Sequence, residues 1–109
     1  MKKIHIRPST ELYIGHNLLT TDHLLGSLGK LRIVLIADVA IKDLYAMDLA
    51  RRMHAELLAI PNGEKAKSKE TAAFLIDELF KMGCGRDTLL IALGGGVTTD
   101  LVGFVASVY

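Results

Sequence analysis

Three consecutive glycines, Gly94 to Gly96, stand between an apolar run over residues 89–93 and a second apolar stretch that begins at Leu101. This order predicts a buried strand, a tight turn and the start of a helix. Such a turn brings backbone N–H groups and the positive end of the helix dipole to one point, which favours phosphate or pyrophosphate. Glycine suits such a turn for two reasons. A Cβ there would hold a ligand away from the backbone, and some residues of the turn need a positive φ, which glycine adopts readily. A second interpretation stays open, in which the glycines only make the turn.

The two best-known phosphate-binding motifs do not match this turn. Val97, Thr98 and Thr99 follow the glycines, so the dinucleotide pattern G-x-G-x-x-G is not met. The Lys-Ser/Thr pair of the P-loop is missing as well. The prediction of phosphate binding therefore rests on the order of strand, glycines and helix.

Composition limits the class of protein. The 109 residues fit one small domain or part of a larger one, and half of them are hydrophobic, which is enough for a core. A net charge of +1 argues against a nucleic-acid partner. We find no apolar run of membrane-spanning length and no signal-peptide core, so no membrane partner is expected. The single cysteine, Cys84, cannot form an internal disulfide, which fits a cytoplasmic protein.

The hydrophobic pattern predicts an α/β fold, namely a Rossmann-like, doubly wound and mainly parallel sheet. Every crossover is expected to be right-handed. The expected elements are strands over 3–7 and 11–15, a short helix over 21–28, a strand over 31–37, a helical stripe (Ile41, Leu44, Tyr45, Leu49 and Met53), a strand over 56–60, a helix between Ser68 and Gly83, and a strand over 89–93. The predicted core is Ile33, Val34, Leu35, Ile36, Leu57, Leu58, Leu75, Ile76, Leu79, Leu90, Ile91 and Ala92.

Polar residues follow three of the predicted parallel strands, and their loops are expected to converge at one edge of the sheet. Asp38 could bind the hydroxyls of one ribose and Glu64 those of another, while Lys67 could offset phosphate charge. Other interpretations remain open. Asp38 could cap the following helix, and Lys67 could belong to a solvated face with its neighbours Lys65 and Lys69. Asp100, placed in the first turn of its helix, could gain from the dipole alone, or bind a hydroxyl or a metal-bound water.

Three blocks of sequence resemble the N-terminal domain of 3-dehydroquinate synthase. They are residues 61–68, with the sequence PNGEKAKS, the pair Arg86-Asp87, and the run 94–104. The resemblance implies an enzyme that uses NAD and a divalent metal, zinc or cobalt. It implies conversion of 3-deoxy-arabino-heptulosonate 7-phosphate, a small phosphorylated sugar acid, into 3-dehydroquinate and phosphate in the shikimate pathway. It also implies a homodimer of the full-length enzyme.

The resemblance and the strand ends together predict a set of cofactor-binding residues and assign no catalytic or metal-binding residue. The predicted set is Asp38, Asn62, Gly63, Glu64, Lys67, Gly95, Gly96, Val97, Thr98, Thr99 and Asp100.

Two positions depart from the family pattern. Ala40 stands where the family usually has a polar residue, often Asn, which removes one expected hydrogen bond to the cofactor. Thr99 stands where the family usually has Gly, although the first turn of a helix tolerates Thr.

The family's enzymes are about three times longer than this chain, as expected for two domains. Their metal ligands, a Glu and two His residues, lie in a helical second domain, whereas His5, His16, His23 and His54 show no ligand spacing. The sequence also stops within a helical pattern. We therefore expect residues 1–109 to be a truncated N-terminal NAD-binding domain without the helical domain, and to be inactive alone.

Two alternatives to the synthase remain at this stage. One is another sugar-phosphate cyclase or a polyol dehydrogenase of the same superfamily, and the other is a non-catalytic nucleotide-binding module. The block Gly63-Glu64-x-x-Lys67 favours the synthase.

Overall fold

The computed structural model describes residues 2–7, 10–14 and 31–109, which divide into two compact units at Lys30. In the first unit, β1 (Lys2–Arg7) and β2 (Thr10–Ile14) pair antiparallel, with Lys2 opposite Ile14. This pairing confirms the two predicted N-terminal strands. The helix predicted over 21–28 lies outside the described residues, as do His16 and His23.

The second unit is built on a parallel sheet whose strands are the three apolar runs of the sequence. They are β3 (Ile33–Asp38), β4 (Glu56–Ile60) and β5 (Leu89–Leu93), in the spatial order β4-β3-β5. The predicted parallel α/β sheet is therefore confirmed, with β3 at its centre.

The helices follow the strands as the alternating pattern predicts. After β3, a short α1 (Val39–Ile41) continues into a π-helical turn (Lys42–Ala46) and then α2 (Met47–Met53). After β4, a 3₁₀ turn (Glu64–Ala66) precedes α3 (Lys69–Lys81). After β5 comes α4 (Gly96–Val108). Among the described residues, none of these helices has the length and hydropathy needed to cross a bilayer.

Both faces of the sheet are covered. Val34 and Ile36 of β3 belong to one buried cluster with residues of α3 and α4. Because strand side chains alternate, Leu35 points to the opposite face, where the π-helical turn and α2 pack against β3 and β4. From β3 the chain thus moves to β4 across one face and returns over β3 to β5 across the other, which is the doubly wound arrangement.

The core prediction is confirmed for the central strand and for Leu75 and Leu79 of α3, whereas the other predicted residues are only partly buried, although most of them pack against the core cluster. Residues 33–36, Leu75 and Leu79 are buried. The partly buried ones are Leu57, Leu58, Ile76, Leu90, Ile91 and Ala92. Residues of β4 and β5 are less buried because each of these strands has one neighbour in this sheet, whereas β3 has two.

The predicted stripe after β3 is wrong in its middle. Leu44 and Tyr45 are 70% and 56% exposed, and Ala46 takes the buried position instead. The π-helical turn spaces its hydrogen bonds one residue wider than an α-helix, so the next inward position after Ile41 comes five residues later. The 3.6-residue pattern resumes at Leu49, which is buried as predicted.

The different burial of Leu35 and Ile91 predicts different losses of stability when each is replaced by alanine. Leu35 on β3 is fully buried, so Leu35→Ala is expected to lower the free energy of unfolding by about 2–5 kcal/mol. Ile91 on β5 is partly buried, and Ile91→Ala is expected to cost less. Urea denaturation of both variants measures the difference, and an equal or larger loss for Ile91→Ala would contradict the burial seen here.

Candidate functional site

The three parallel strands end at the same level of the sheet. Asp38, the last residue of β3, pairs with Ile60, the last of β4, and Ala37 pairs with Leu93, the last of β5. The loops that leave the strands therefore start at one edge, as the sequence predicts. Of these, the loops after β3 and β5 flank the point where the strand order reverses, which is where open α/β sheets bind ligands.

The N-terminus of α4 lies at this point. The helix begins at Gly96 rather than near Leu101, so the predicted start is wrong: the turn itself forms the first helical residues. Gly95 at the N-cap has no side chain to accept a hydrogen bond. By contrast, the hydroxyl of Ser68 accepts the N–H of Thr71 and caps α3, as predicted. The first N–H groups of α4 are thus left for a ligand or water.

The structure requires glycine at only one of the three positions in the turn. A Cβ on Gly94 would lie 2.6 Å from the hydroxyl oxygen of Thr98 and 2.9 Å from its Cβ, so packing excludes a side chain there. A Cβ on Gly95 or Gly96 would meet nothing within 4 Å, and neither residue has a positive φ. The turn alone therefore explains Gly94 and leaves Gly95 and Gly96 without a structural requirement.

This difference predicts opposite effects on stability. Gly94→Ala is expected to lower the free energy of unfolding by about 1–3 kcal/mol, because the backbone or Thr98 must move. Gly95→Ala is the matched control and is expected to change it by less than about 1 kcal/mol. Chemical denaturation measures both values, and equal stability of the two variants would show that the contact with Thr98 is not restrictive.

Asp38 is a helix cap, as one of the two interpretations of the sequence holds. Its Oδ1 accepts the backbone N–H of Ala40 at 2.7 Å. Within the described part of the chain, the second carboxylate oxygen has no hydrogen bond, and the side chain is half-buried. The cap therefore fixes the orientation of Asp38 and leaves one oxygen for a ligand.

The loop after β4 is held by its backbone. Gly63 has a φ of 86°, a left-handed value that other residues rarely adopt, and it leads into the 3₁₀ turn whose Ala66 is fully buried. Glu64 and Asn62 are exposed beside this turn. The turn packs against α4, and Lys67, which follows the turn, pairs with Asp100 of that helix.

Lys67 and Asp100 are brought together although they lie far apart in the sequence. The ammonium nitrogen of Lys67 donates to Oδ2 of Asp100 at 3.3 Å. Lys65 and Lys69 form no ion pair with other residues of the described ranges, so Lys67 differs from the solvated lysines around it. The prediction that Asp100 lies in the first turn is wrong, because α4 starts at Gly96 and Asp100 falls one turn later.

The two threonines of the turn have their side chains engaged. Thr98 is 2% exposed, and its side chain packs against Gly94. The hydroxyl of Thr99 donates to the carbonyl of Gly96 at 3.1 Å. The helix therefore accommodates Thr where the family pattern has Gly.

One feature of this edge was missed from the sequence. An apolar groove beside Asp38 is lined by residues of three separate elements, including Val39, Ile60 and Phe74. The pairing of Asp38 with Ile60 brings Val39 close to Ile60, and the packing of α3 on the sheet adds Phe74, so no local pattern could have indicated the groove.

The described residues include no group of three or more His, Cys, Asp and Glu side chains that could hold a metal ion. This edge of the sheet carries the uncapped N–H groups of α4, the carboxylate of Asp38, and the ammonium group of Lys67 paired with Asp100.

Comparison with known proteins relates the chain to one family of enzymes. Residues 57–109 match the family described as 3-dehydroquinate synthase N-terminal. The chain is 36% identical over 96 residues to 3-dehydroquinate synthase of Pyrococcus furiosus, which covers 85% of this chain and 29% of that protein. It is 39% identical over 112 residues to 2-epi-valiolone synthase of Actinosynnema mirum, covering 98% of this chain and 28% of that protein. The chain thus spans less than a third of these relatives.

A solved structure shares the fold. A crystal structure of 2-deoxy-scyllo-inosose synthase complexed with carbaglucose-6-phosphate, NAD⁺ and Co²⁺ superposes with a TM-score of 0.70 at 23% identity. The match covers 80% of this chain and 27% of that one.

Proposed function

Because the chain belongs to the 3-dehydroquinate synthase family, we propose that it forms the NAD-binding part of a 3-dehydroquinate synthase. The proposed reaction converts 3-deoxy-arabino-heptulosonate 7-phosphate into 3-dehydroquinate and phosphate. The chain spans 29% of the Pyrococcus furiosus relative, so the reaction is proposed for the protein to which these residues contribute. A homodimer and a cytoplasmic location belong to the same proposal.

One observation carries the proposal for the cofactor. Gly95 and Gly96 have open space where a side chain would stand, and they lie at an uncapped helix N-terminus beside the point where the strand order reverses. Pyrophosphate oxygens could therefore approach the N–H groups of Gly96 and Val97 directly, and the helix dipole favours their charge. The related structure complexed with NAD⁺ supports this choice of ligand.

The neighbouring side chains fit the rest of the dinucleotide. Asp38 offers its unbonded carboxylate oxygen to the hydroxyls of one ribose, and Glu64 lies exposed on the loop after β4 for the other. Lys67 offsets phosphate charge. NAD supplies a hydride acceptor that can return the hydride later in the reaction. The residues of this chain bind and orient that cofactor.

We assign the metal-binding residues of the proposed reaction to other parts of the protein. The described residues hold no cluster of metal-ligating side chains, so we place neither a zinc or cobalt ligand nor a catalytic residue among them. The Co²⁺ in the related structure supports a divalent metal for the complete enzyme.

Direct titration tests the cofactor proposal. On addition of NAD to the ¹⁵N-labelled chain, the amide signals of residues 95–98 are expected to shift more than those of α2. Asp38→Asn is expected to weaken binding by about tenfold or more, because one charge-assisted bond contributes about 1.5–3 kcal/mol. Asp48→Asn, an exposed carboxylate on α2, is the control. Unshifted signals for residues 95–98 at saturating NAD would contradict the proposal.

A second candidate is another sugar-phosphate cyclase. The identity of 39% over 112 residues with a 2-epi-valiolone synthase favours it as much as the identity with the synthase favours the first. Incubation of the full-length protein with the heptulosonate phosphate, NAD and zinc separates the two: 3-dehydroquinate is the product of the synthase, and its absence together with turnover of another sugar phosphate indicates the cyclase. NAD binding without any turnover would indicate a non-catalytic module.

A further inference from the structure

The pair Asn62-Gly63 lies exposed between the end of β4 and the 3₁₀ turn. We infer that Asn62 is a site of spontaneous covalent modification, at which the side-chain amide is lost as ammonia and the loop acquires a carboxylate. The attacking group is the backbone nitrogen of Gly63, which no Cβ shields. The inference concerns the chemistry of the loop and does not depend on the proposed function.

The atoms that react are free of hydrogen bonds within the described part of the chain. The carboxamide of Asn62 forms none, and neither does the backbone N–H of Gly63. The hydrogen bonds of the 3₁₀ turn begin at the next group along the chain, where the carbonyl of Gly63 accepts the N–H of Ala66 at 3.1 Å. The nucleophile therefore does not have to give up a bond before it attacks.

The surroundings leave room for the ring that forms. A Cβ on Gly63 would meet no atom within 4 Å, and the side chain of Asn62 is exposed. The loop is anchored on either side of the pair, since Ile60 is 1% exposed and Ala66 is fully buried. The reaction is thus confined to exposed residues between two fixed points, and no core side chain has to move.

The step balances with water as its only co-reactant. The nitrogen of Gly63 forms a bond to Cγ of Asn62, and the bond between Cγ and Nδ2 breaks. The departing nitrogen leaves as ammonia and takes up the proton that the backbone nitrogen loses. Water then opens the cyclic imide. Addition at Cγ gives aspartate, whereas addition at the main-chain carbonyl gives isoaspartate, and both restore the N–H of Gly63 and release a proton.

Both products change the loop. Each adds one negative charge next to Glu64, in a chain whose net charge is +1. Isoaspartate also lengthens the backbone by one carbon between β4 and the 3₁₀ turn. Stored protein is therefore expected to become a mixture of forms that ion-exchange chromatography separates by charge.

The sequence supplies a matched control. Asn17 is the other asparagine of the chain, and no glutamine is present, so ammonia lost from side chains comes from these two residues. Leu18 follows Asn17, and its side chain shields the nitrogen that would attack. Asn17 lies outside the described residues, and its use as a control depends on the sequence alone.

The test is incubation of the chain at neutral and mildly alkaline pH, followed by peptide mapping with mass spectrometry. Asn62 is expected to react at least about tenfold faster than Asn17, and faster at the higher pH, because the attacking nitrogen must lose its proton. Asn62→Gln must close a larger ring, and Gly63→Ala adds a Cβ, so each is expected to slow the reaction by about tenfold or more. The rate in the folded chain is expected to lie within about threefold of the rate in urea, because the loop is already open.

Three outcomes would overturn the inference. If the folded chain kept Asn62 intact over an incubation that converts the urea-unfolded chain, the fold would protect the loop. If Asn17 reacted as fast as Asn62, the glycine would not direct the reaction. If Asn62→Gln released as much ammonia as wild type, the ammonia would have another source. The urea transition of each sample checks that it is folded, and Asn62→Gln keeps the test decisive if Gly63→Ala, at a φ of 86°, does not fold.

Discussion

Gly95→Val is expected to weaken NAD binding by at least about 100-fold in the full-length protein. The valine side chain would fill the open space in front of the first turn of α4 and hold the pyrophosphate away from the N–H groups of Gly96 and Val97. Two hydrogen bonds to a charged group, at about 1.5 kcal/mol or more each, account for a loss of this size. Calorimetric titration with NAD measures it.

The fold is expected to survive this substitution. Gly95 has φ and ψ of −81° and −167°, an extended conformation that valine adopts readily, so the unfolding midpoint serves as a check. Gly103→Val is the matched control, because Gly103 lies exposed in the same helix with open space around it. Wild-type affinity in Gly95→Val would mean that the open space at Gly95 is not the approach of the pyrophosphate and that the phosphate prediction is wrong.

The 109-residue chain by itself is expected to release no phosphate from 3-deoxy-arabino-heptulosonate 7-phosphate, even with NAD and zinc or cobalt added. The reason is that its described residues provide no group of three metal-ligating side chains, whereas a catalytic zinc needs three protein ligands. A phosphate-release assay on the purified chain measures this.

The full-length protein is the positive control for that assay, since it is expected to release phosphate under the same conditions. Turnover by the 109-residue chain, free of any longer protein, would contradict the assignment of the metal site to other residues.

Sequence alone determined the elements whose signals are local. The apolar runs at β3, β4 and β5 predict strands because each run is short, continuous and followed by polar or glycine residues. Ser68 predicts the start of α3, since a hydroxyl at that position satisfies a backbone N–H of the helix it precedes. The glycine turn and Asp38 could likewise be placed at strand ends, because loop position follows from strand position.

Tertiary structure alone decided how these elements meet. The order β4-β3-β5 leaves Ile91 half-buried and Leu35 fully buried, although both lie in apolar runs of the same kind. The need for Gly94 arises from contact with Thr98, which only the helix start at Gly96 creates. The pair of Lys67 with Asp100 joins residues 33 positions apart. Such contacts depend on register, crossover and helix phase, which are set by the packing of the whole sheet and carry no signature in any short stretch of sequence.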